Sequence, residues 1–340
     1  RSGGAVAVLD LDLSQPELSP PGMMTLSVVR SPLFAPMSSS SQRDTFVEGR
    51  YVGQVTGRDD PGRYVAAIRG LLGAYHSLEE EGMVLIVNTE ATVKGLGAEL
   101  VGAVRDVVSP TSVIQLMGST STCDDDGSGW DVMGYYDDVK CHVIPVVRPA
   151  HLSCALSRTR ILGEYFCAPL LPSSSRVNLS GGGNIVDPRA VLSEALASAK
   201  PFCISFDDVG YGTLDDGVIA QNEERTVLEA LNGHIVGLCH CPPHDDASSV
   251  SKRGGRRVVV SASMTEDVRC FGLGIVRSID LVKRLFFVVT PLSVDDLRAR
   301  DVNLLLGGSI SVPLELLWRG KFASQGLAYQ ACCDKEEEEM

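Results

Sequence analysis

Residues 5–22 read Ala-Val-Ala-Val-Leu-Asp-Leu-Asp-Leu-Ser-Gln-Pro-Glu-Leu-Ser-Pro-Pro-Gly, and this stretch decides the fold. It opens with a continuous apolar run, which is typical of a strand buried on both faces in a parallel sheet. Asp10 and Asp12 follow, and two residues apart on a strand they would project to the same face. Open α/β sheets bind ligands at the carboxyl ends of their strands. The stretch therefore predicts either the magnesium site of a nucleoside triphosphatase or an ordinary solvated strand end.

The chain downstream alternates between helical and strand-like patterns. Asp59-Asp60-Pro61 is a helix start, and apolar residues then recur with helical period as far as Tyr75. Further patterns predict strands at 83–88, 112–117 and 141–147, and helices at 96–108, 152–166 and 187–199. This alternation predicts an α/β fold with a doubly wound parallel sheet.

From residue 201 the pattern changes to short β-rich runs. They lie at 202–206, 235–239, 257–263, 271–279, 285–290 and 309–312, with helical patches at 222–231 and 293–300. The runs at 271–279 and 285–290 predict a hairpin, and Ser293 with Asp296 has capping-box spacing. We expect residues 1–167, which include helix 152–166, to belong to the α/β domain, and residues 168–200 to be a linker and a helix. We expect residues 201–330 to form a smaller, mostly-β domain and residues 331–340 to be an acidic tail.

Composition narrows the classes of function. A net charge of −13 and a pI near 4.9 argue against a broad nucleic-acid-binding surface, although they are compatible with a local basic cleft. No apolar run approaches the roughly 18–20 residues of a membrane span, so we expect no membrane association. The ten cysteines are scattered, which favours reduced thiols. Cys239 and Cys241 are closer together than usual zinc ligands, and zinc is the weaker interpretation there.

The segments Asp12-Leu-Ser-Gln15 and Pro20-Pro21-Gly22 resemble the Asp-x-Gly-Gln…Pro-Gly signature of the polynucleotide 5′-hydroxyl kinases, P-loop enzymes that phosphorylate RNA 5′ ends. The resemblance implies a P-loop-type sheet in which Asp12 holds Mg²⁺ and orients or deprotonates the RNA 5′-hydroxyl. Asp10 would assist at the metal, Gln15 would position a phosphate or a metal-bound water, and Gly22 would shape the cofactor site. Ser14 stands where the family usually has Gly.

A second motif follows the strand predicted at 83–88. Residues 88–97 read Asn-Thr-Glu-Ala-Thr-Val-Lys-Gly-Leu-Gly and resemble the family's Asn-Thr-x-Gly-Trp-x-x-Gly-x-Gly. The resemblance assigns Asn88 and Thr89 to the nucleotide. It assigns Thr92, Lys94 and Gly95 to the RNA. Thr92 replaces a Trp expected to stack on an RNA base, an interaction worth about 1–3 kcal/mol that Thr cannot supply. Trp130 is an alternative stacking residue, although an incidental loop Trp is the better interpretation.

The residues 156–166, Leu-Ser-Arg-Thr-Arg-Ile-Leu-Gly-Glu-Tyr-Phe, resemble the family's lid helix, which carries Arg residues before a Leu-x-x-Tyr-Phe ending. The resemblance implies that Arg158 and Arg160 clamp the transferring phosphate. Two apart, they cannot share one helix face. We therefore expect one to reach the phosphate and the other to pair with an acid or to contact RNA. Arg148 is a third candidate, assigned to the RNA.

The block from Cys270 to Pro313 resembles the C-terminal domain of the nucleolar, pre-rRNA-processing branch of the family. This implies an ATP- and Mg²⁺-dependent kinase that acts on RNA with a 5′-OH end in the nucleolus, together with an endoribonuclease partner. The phosphate-binding sequence Gly-x-x-x-x-Gly-Lys-Ser/Thr does not occur in the 340 residues. In the family it precedes the Asp-containing strand, so we expect this chain to be a fragment that is inactive alone.

Two alternatives remain open. One is a non-catalytic scaffold or pseudokinase of the same fold that binds a ribosome-processing nuclease, which Ser14, Ala91 and Thr92 favour. The other is a small-molecule P-loop kinase, which would explain the sheet but not the block after Cys270. Retention of Asp12, Gln15, Arg158 and Arg160 favours the polynucleotide kinase.

Overall fold

The computed structural model describes most of the chain. The described ranges are 4–32, 45–78, 82–90, 95–118, 139–146, 154–167, 188–215, 217–218, 223–242, 256–257 and 263–313. Several features predicted from sequence lie outside them, namely Ala91, Thr92, Lys94, Trp130, Arg148, most of the predicted linker and the acidic tail.

The first sheet contains four strands, β1 (Val6–Asp10), β2 (Met23–Val29), β3 (Phe46–Tyr51) and β4 (Val84–Asn88), in the order β3-β2-β1-β4. Strand β1 runs parallel to β4 and antiparallel to β2, which is antiparallel to β3. Two further strands, β5 (Ser112–Gly118) and β6 (Lys140–Val146), form a parallel pair. The parallel pairs confirm the α/β class. Sequence analysis missed the antiparallel β2 and β3, so the first sheet is mixed.

Two helices cover this sheet. Helix α1 (Pro61–His76) is capped by Asp60, whose Oδ1 accepts a hydrogen bond from the Arg63 amide at 2.9 Å. Helix α2 (Leu96–Val108) packs beside it. Their apolar faces and the sheet share one core, which includes Leu9, Leu11, Met24, Leu26, Tyr64, Ile68, Leu71, Leu100 and Val104. The helical periodicity predicted both elements.

Helices α3 (Cys154–Cys167) and α4 (Pro188–Ser198) lead into the second sheet. Its strands are β7 (Phe202–Ser205), β8 (Gly210–Thr213), β9 (His234–His240), β10 (Arg256–Arg257), β11 (Arg269–Asp280), β12 (Leu285–Val289) and β13 (Leu304–Ser311), in the order β10-β8-β13-β9-β11-β12-β7. Helices α5 (Glu224–Leu231) and α6 (Val294–Ala299) lie between strands along the chain. In the described ranges, no helix has both the length and the hydropathy needed to cross a membrane.

The second sheet confirms the predicted hairpin, since β11 and β12 pair antiparallel. Ser293 and Asp296 form the expected capping box. Three details differ from the sequence analysis. Strand β8 was missed, β13 begins at Leu304 and not at residue 309, and Ser263 starts a 3₁₀ helix where a strand was expected to end.

One hydrophobic core joins the two sheets. Met23 and Tyr51 from the first sheet pack in the same cluster as Leu162 and Phe166 of α3 and with residues of β9, β11 and β13. Tyr165 adds a polar contact, because its hydroxyl accepts a hydrogen bond from the Leu273 amide at 2.8 Å. This core fixes the base of the segment between β1 and β2, which carries Asp12.

Gly22 lies where the end of the segment between β1 and β2 packs against Ile310 of the second sheet. Its φ is +81°, and its carbonyl accepts hydrogen bonds from the amides of Val52 and Gly53, each at 3.0 Å. A Cβ atom here would lie 1.9 Å from Cδ1 of Ile310. The position therefore requires Gly for two independent reasons, backbone conformation and space.

We expect Gly22→Ala to lower the free energy of unfolding by about 2–4 kcal/mol, because the strain of a positive φ adds to overpacking against Ile310. Gly82→Ala is a matched control, since Gly82 has φ +76° and no atom of the described residues lies within 4 Å of the place that its Cβ would take. The control should lose about 1 kcal/mol. Urea unfolding of both variants measures the difference, and equal losses would contradict the packing argument.

Candidate active site

The carboxyl ends of β1 and β4 meet at one edge of the first sheet. Asp10 pairs with Asn88 in the parallel register, and the Leu11 amide donates to the Asn88 carbonyl at 2.9 Å. The two motifs that sequence analysis placed after separate strands therefore lie side by side. This is the edge at which open α/β sheets bind ligands.

Asp10 is buried and holds the segment that follows it. Its Oδ2 accepts hydrogen bonds from the amides of Glu17 at 2.7 Å and Leu18 at 2.8 Å, and its Oδ1 accepts one from Nδ2 of Asn88 at 2.9 Å. Burial raises the pKa of Asp10, and these hydrogen bonds oppose the rise. With both oxygens engaged, the carboxylate closes residues 11–18 into a loop, which we call the Asp12 loop.

Asp12 lies in that loop, because β1 ends at Asp10. The two carboxylates therefore do not share a strand face, as their spacing had suggested. Oδ1 of Asp12 accepts hydrogen bonds from the amides of Ser14 at 2.8 Å and Gln15 at 2.9 Å. Its Oδ2 accepts none from the residues that the structure describes. Half-buried Asp12 thus presents one carboxylate oxygen outward at the sheet edge.

The donor set can be tested against a magnesium ion. Mg²⁺ is commonly held by one or two carboxylates, with water and substrate phosphates completing its octahedron. The outward oxygen of Asp12 fits this role, whereas Asp10 already accepts hydrogen bonds at both oxygens. No group of three or more His, Cys, Asp or Glu side chains suited to a metal occurs within the described ranges.

Glu90 is a site residue that sequence analysis passed over. Its Oε1 accepts a hydrogen bond from the Gly57 amide at 2.7 Å, and its Oε2 accepts one from the Thr56 hydroxyl at 3.0 Å. Burial raises the pKa of Glu90, and the nearby Asp12 charge adds to the rise. Glu90 occupies the variable position of its motif, and its partners come from a distant turn, so no sequence signal marked it.

A shallow cleft opens beside Glu90, between α1 and α2. Its lining includes Tyr64, Thr89, Gly97 and Leu100. Burial raises the pKa of Tyr64, whose hydroxyl donates to the Leu11 carbonyl at 3.3 Å. The helical side of the cleft is therefore mainly apolar, and its lining includes one carboxylate, that of Glu90.

The two arginines of α3 take different partners. Nη1 of Arg158 donates to the Ser14 hydroxyl at 3.1 Å, which brings Arg158 to the Asp12 loop. Nε of Arg160 donates to Glu164 at 2.8 Å on the same helix. This is the division that their spacing suggested, with one arginine facing the site and the other paired with an acid. Their contact with phosphate stays a prediction.

The remaining predicted site residues fall in three places. Gln15 and Thr89 are exposed at the sheet edge, and Gly95 caps the start of α2 with φ +53°. Gly22 lies against β13, so it shapes the end of the segment between β1 and β2 and not the sheet edge. The predicted RNA contacts at 92, 94 and 148 are outside the described residues.

Two family models match the chain. Residues 1–166 match the mRNA cleavage and polyadenylation factor CLP1 P-loop, and residues 197–313 match the NOL9-like C-terminal domain. The chain is 27% identical over 333 residues to polynucleotide 5′-hydroxyl-kinase NOL9 of Danio rerio, covering 92% of this chain and 43% of that protein. Over about nine-tenths of its length the chain is thus homologous to proteins named polynucleotide 5′-hydroxyl kinases. Its C-terminal part matches the NOL9-like model.

Two further relatives carry the same kinase name. The NOL9 kinase of Arabidopsis thaliana is 27% identical over 335 residues, covering 92% of this chain and 79% of that protein. The grc3 kinase of Schizosaccharomyces pombe is 23% identical over 336 residues, covering 91% and 45%. This chain thus spans less than half the length of the Danio rerio and S. pombe relatives. A solved structure of the wild-type Clp1p–Pcf11p complex shares the fold, with a TM-score of 0.51 at 12% identity over 90% of this chain and 67% of that one.

The different partners of Asp10 and Asp12 predict different mutant phenotypes. Asp10→Asn should lower the free energy of unfolding by about 1–3 kcal/mol. The new Nδ2 group would face an N–H donor, either of the backbone or of Asn88, and could not accept its hydrogen bond. Asp12→Asn keeps the Oδ1 acceptor and should change stability by less than about 0.5 kcal/mol. Urea unfolding of the two variants tests this. A stability loss confined to Asp12→Asn would reverse the assignment.

Glu90 predicts a pH effect with a defined sign. Its pKa is higher in the folded than in the unfolded chain, so the stability that the protonated group contributes is lost as pH rises through the raised pKa. Glu90→Gln removes this titration. Its amide oxygen can still accept from the Gly57 amide, and its Nε2 can donate to the Thr56 hydroxyl oxygen. Its stability relative to wild type should therefore increase between about pH 4 and pH 7.

Unfolding free energies measured across that range check the expectation. Glu90→Ala is the control, because it leaves the Gly57 amide without its acceptor and should be less stable than wild type at every pH. If the unfolding free energies of wild type and Glu90→Gln changed in parallel with pH, the pKa of Glu90 would be the same in the folded and the unfolded chain, which would contradict the prediction.

Proposed function

We propose that this protein transfers the γ-phosphate of ATP to the 5′-hydroxyl of RNA. The observation that carries the proposal is the outward Oδ2 of Asp12, held at the carboxyl edge of a parallel strand pair by the Ser14 and Gln15 amides. The similarity of the chain to proteins named polynucleotide 5′-hydroxyl kinases supports it.

Asp12 is the residue that acts on the nucleophile. Its carboxylate accepts the proton of the 5′-hydroxyl as that oxygen bonds to the γ-phosphorus. The bond from γ-phosphorus to the β,γ-bridging oxygen breaks, and ADP leaves. Mg²⁺ bound at Asp12 would neutralise charge on the phosphates. Arg158, on the lid side of the Asp12 loop, supplies positive charge toward the transferring group.

The finer part of the proposal concerns biological setting. We propose that the substrate is pre-rRNA with a 5′-OH end left by an endoribonuclease partner, and that the protein works in the nucleolus. The NOL9-like C-terminal domain supports this setting, since the resemblance to the nucleolar branch is strongest there. The acidic net charge fits a narrow RNA contact near the site better than a wide one.

A non-catalytic scaffold of the same fold is the second candidate. Ser14 and Thr92 favour it, because each departs from the family motif at a position that would touch substrate. A scaffold would keep the two sheets and their shared core without needing the outward oxygen of Asp12. Activity of a folded protein decides between the two.

In a transfer assay, Asp12→Asn should lower the rate at least about 100-fold, because the base and metal ligand is lost while the fold is kept. The assay follows labelled γ-phosphate from ATP onto a 5′-OH oligoribonucleotide, using protein expressed from the complete open reading frame. Asp106→Asn is the control, since Asp106 is an exposed partner of Arg105 on α2 and should leave transfer unchanged. A folded wild-type protein that transfers nothing would favour the scaffold.

A further inference from the structure

We infer that Ser14 is a positioning residue, which holds Arg158 against the Asp12 loop and thereby docks the lid helix α3 over the candidate active site. The inference deepens the proposed kinase function and rests on it for its catalytic consequence. The docking contact itself is a property of this chain's own residues.

Ser14 connects the two charged groups of the site. Its amide donates to Oδ1 of Asp12 at 2.8 Å, and its hydroxyl accepts from Nη1 of Arg158 at 3.1 Å. A single residue thus fixes the carboxylate and the guanidinium relative to each other. A hydrogen bond from an ionised donor is about twice as strong as a neutral one, which suits a contact between separate elements.

Helix α3 is held differently at its two ends. Near its C-terminus, Leu162, Tyr165 and Phe166 are buried, and the Tyr165 hydroxyl accepts from the Leu273 amide. Its N-terminal half carries Arg158, and the contact with Ser14 joins that half to the Asp12 loop. The buried C-terminal end holds the helix against the core, and the Ser14 contact joins its N-terminal half to the Asp12 loop.

The hydroxyl matters because the resembled family motif has Gly at this position, which offers no acceptor. A guanidinium has five N–H donors, so binding Ser14 through Nη1 leaves others for a phosphate. Arg158 is then ordered beside Asp12 in advance, and less side-chain freedom is lost when the transition state forms. Ser14 should consequently act on kcat more than on the KM for RNA.

Hydrogen exchange of the α3 amides tests the docking. Ser14→Ala should speed exchange in the N-terminal half of α3 by about three- to tenfold, the range expected for losing one such hydrogen bond. Ser14→Thr keeps a hydroxyl and should restore slow exchange. Thr159→Ala is the control, because the Thr159 hydroxyl donates to Ala155 within the helix itself and does not reach the loop. Unchanged exchange in Ser14→Ala would overturn the inference.

Transfer kinetics test the consequence. In protein from the complete open reading frame, Ser14→Ala should lower kcat about three- to tenfold with the KM for RNA unchanged and the melting temperature lowered by less than about 4 °C, and Ser14→Thr should recover kcat. An unchanged kcat in Ser14→Ala would overturn the inference while the kinase function stands. The exchange measurement needs neither ATP nor RNA, so it decides the Ser14 contact even if wild type transfers no phosphate.

Discussion

The buried carboxylate of Asp10 is the constraint on which the site depends. A buried charge is tolerated when hydrogen bonds compensate it, and Asp10 receives three, from Glu17, Leu18 and Asn88. The bond from Asn88 joins β1 to β4, and the bonds from Glu17 and Leu18 fold the Asp12 loop back onto Asp10. Asp12 can point an oxygen outward because the hydrogen bonds of Asp10 already hold the loop in place.

The C-terminal sheet completes the arrangement from the other side. The same core that contains Met23 and Tyr51 also contains the buried end of α3, so the Asp12 loop and the arginine-bearing helix are built on one support. Gly22 permits the close approach that this requires. The mostly-β part therefore also positions helix α3, which carries Arg158.

Sequence patterns predicted the regular elements well and the site only in part. Helical periodicity placed α1 and α2, and the apolar run placed β1, since burial alone dictates both signals. The spacing of Asp10 and Asp12 could not distinguish their partners, because that depends on where β1 ends. The antiparallel pair β2–β3 was missed because residues 30–45 separate the two strands, a connection much longer than the two to five residues that mark a hairpin. Glu90 escaped because Thr56 and Gly57 meet it only in the folded chain.

The most direct test of this division of labour is a crystal structure of the protein with Mg²⁺, a non-hydrolysable ATP analogue and a 5′-OH oligoribonucleotide. We expect Asp12 to lie within hydrogen-bonding distance of the 5′-oxygen and to bind Mg²⁺ either directly, at about 2.1 Å, or through water. Asp10 should keep its hydrogen bonds to Glu17, Leu18 and Asn88. A structure in which Asp10 leaves the loop to bind Mg²⁺ while Asp12 stays turned inward would contradict the account.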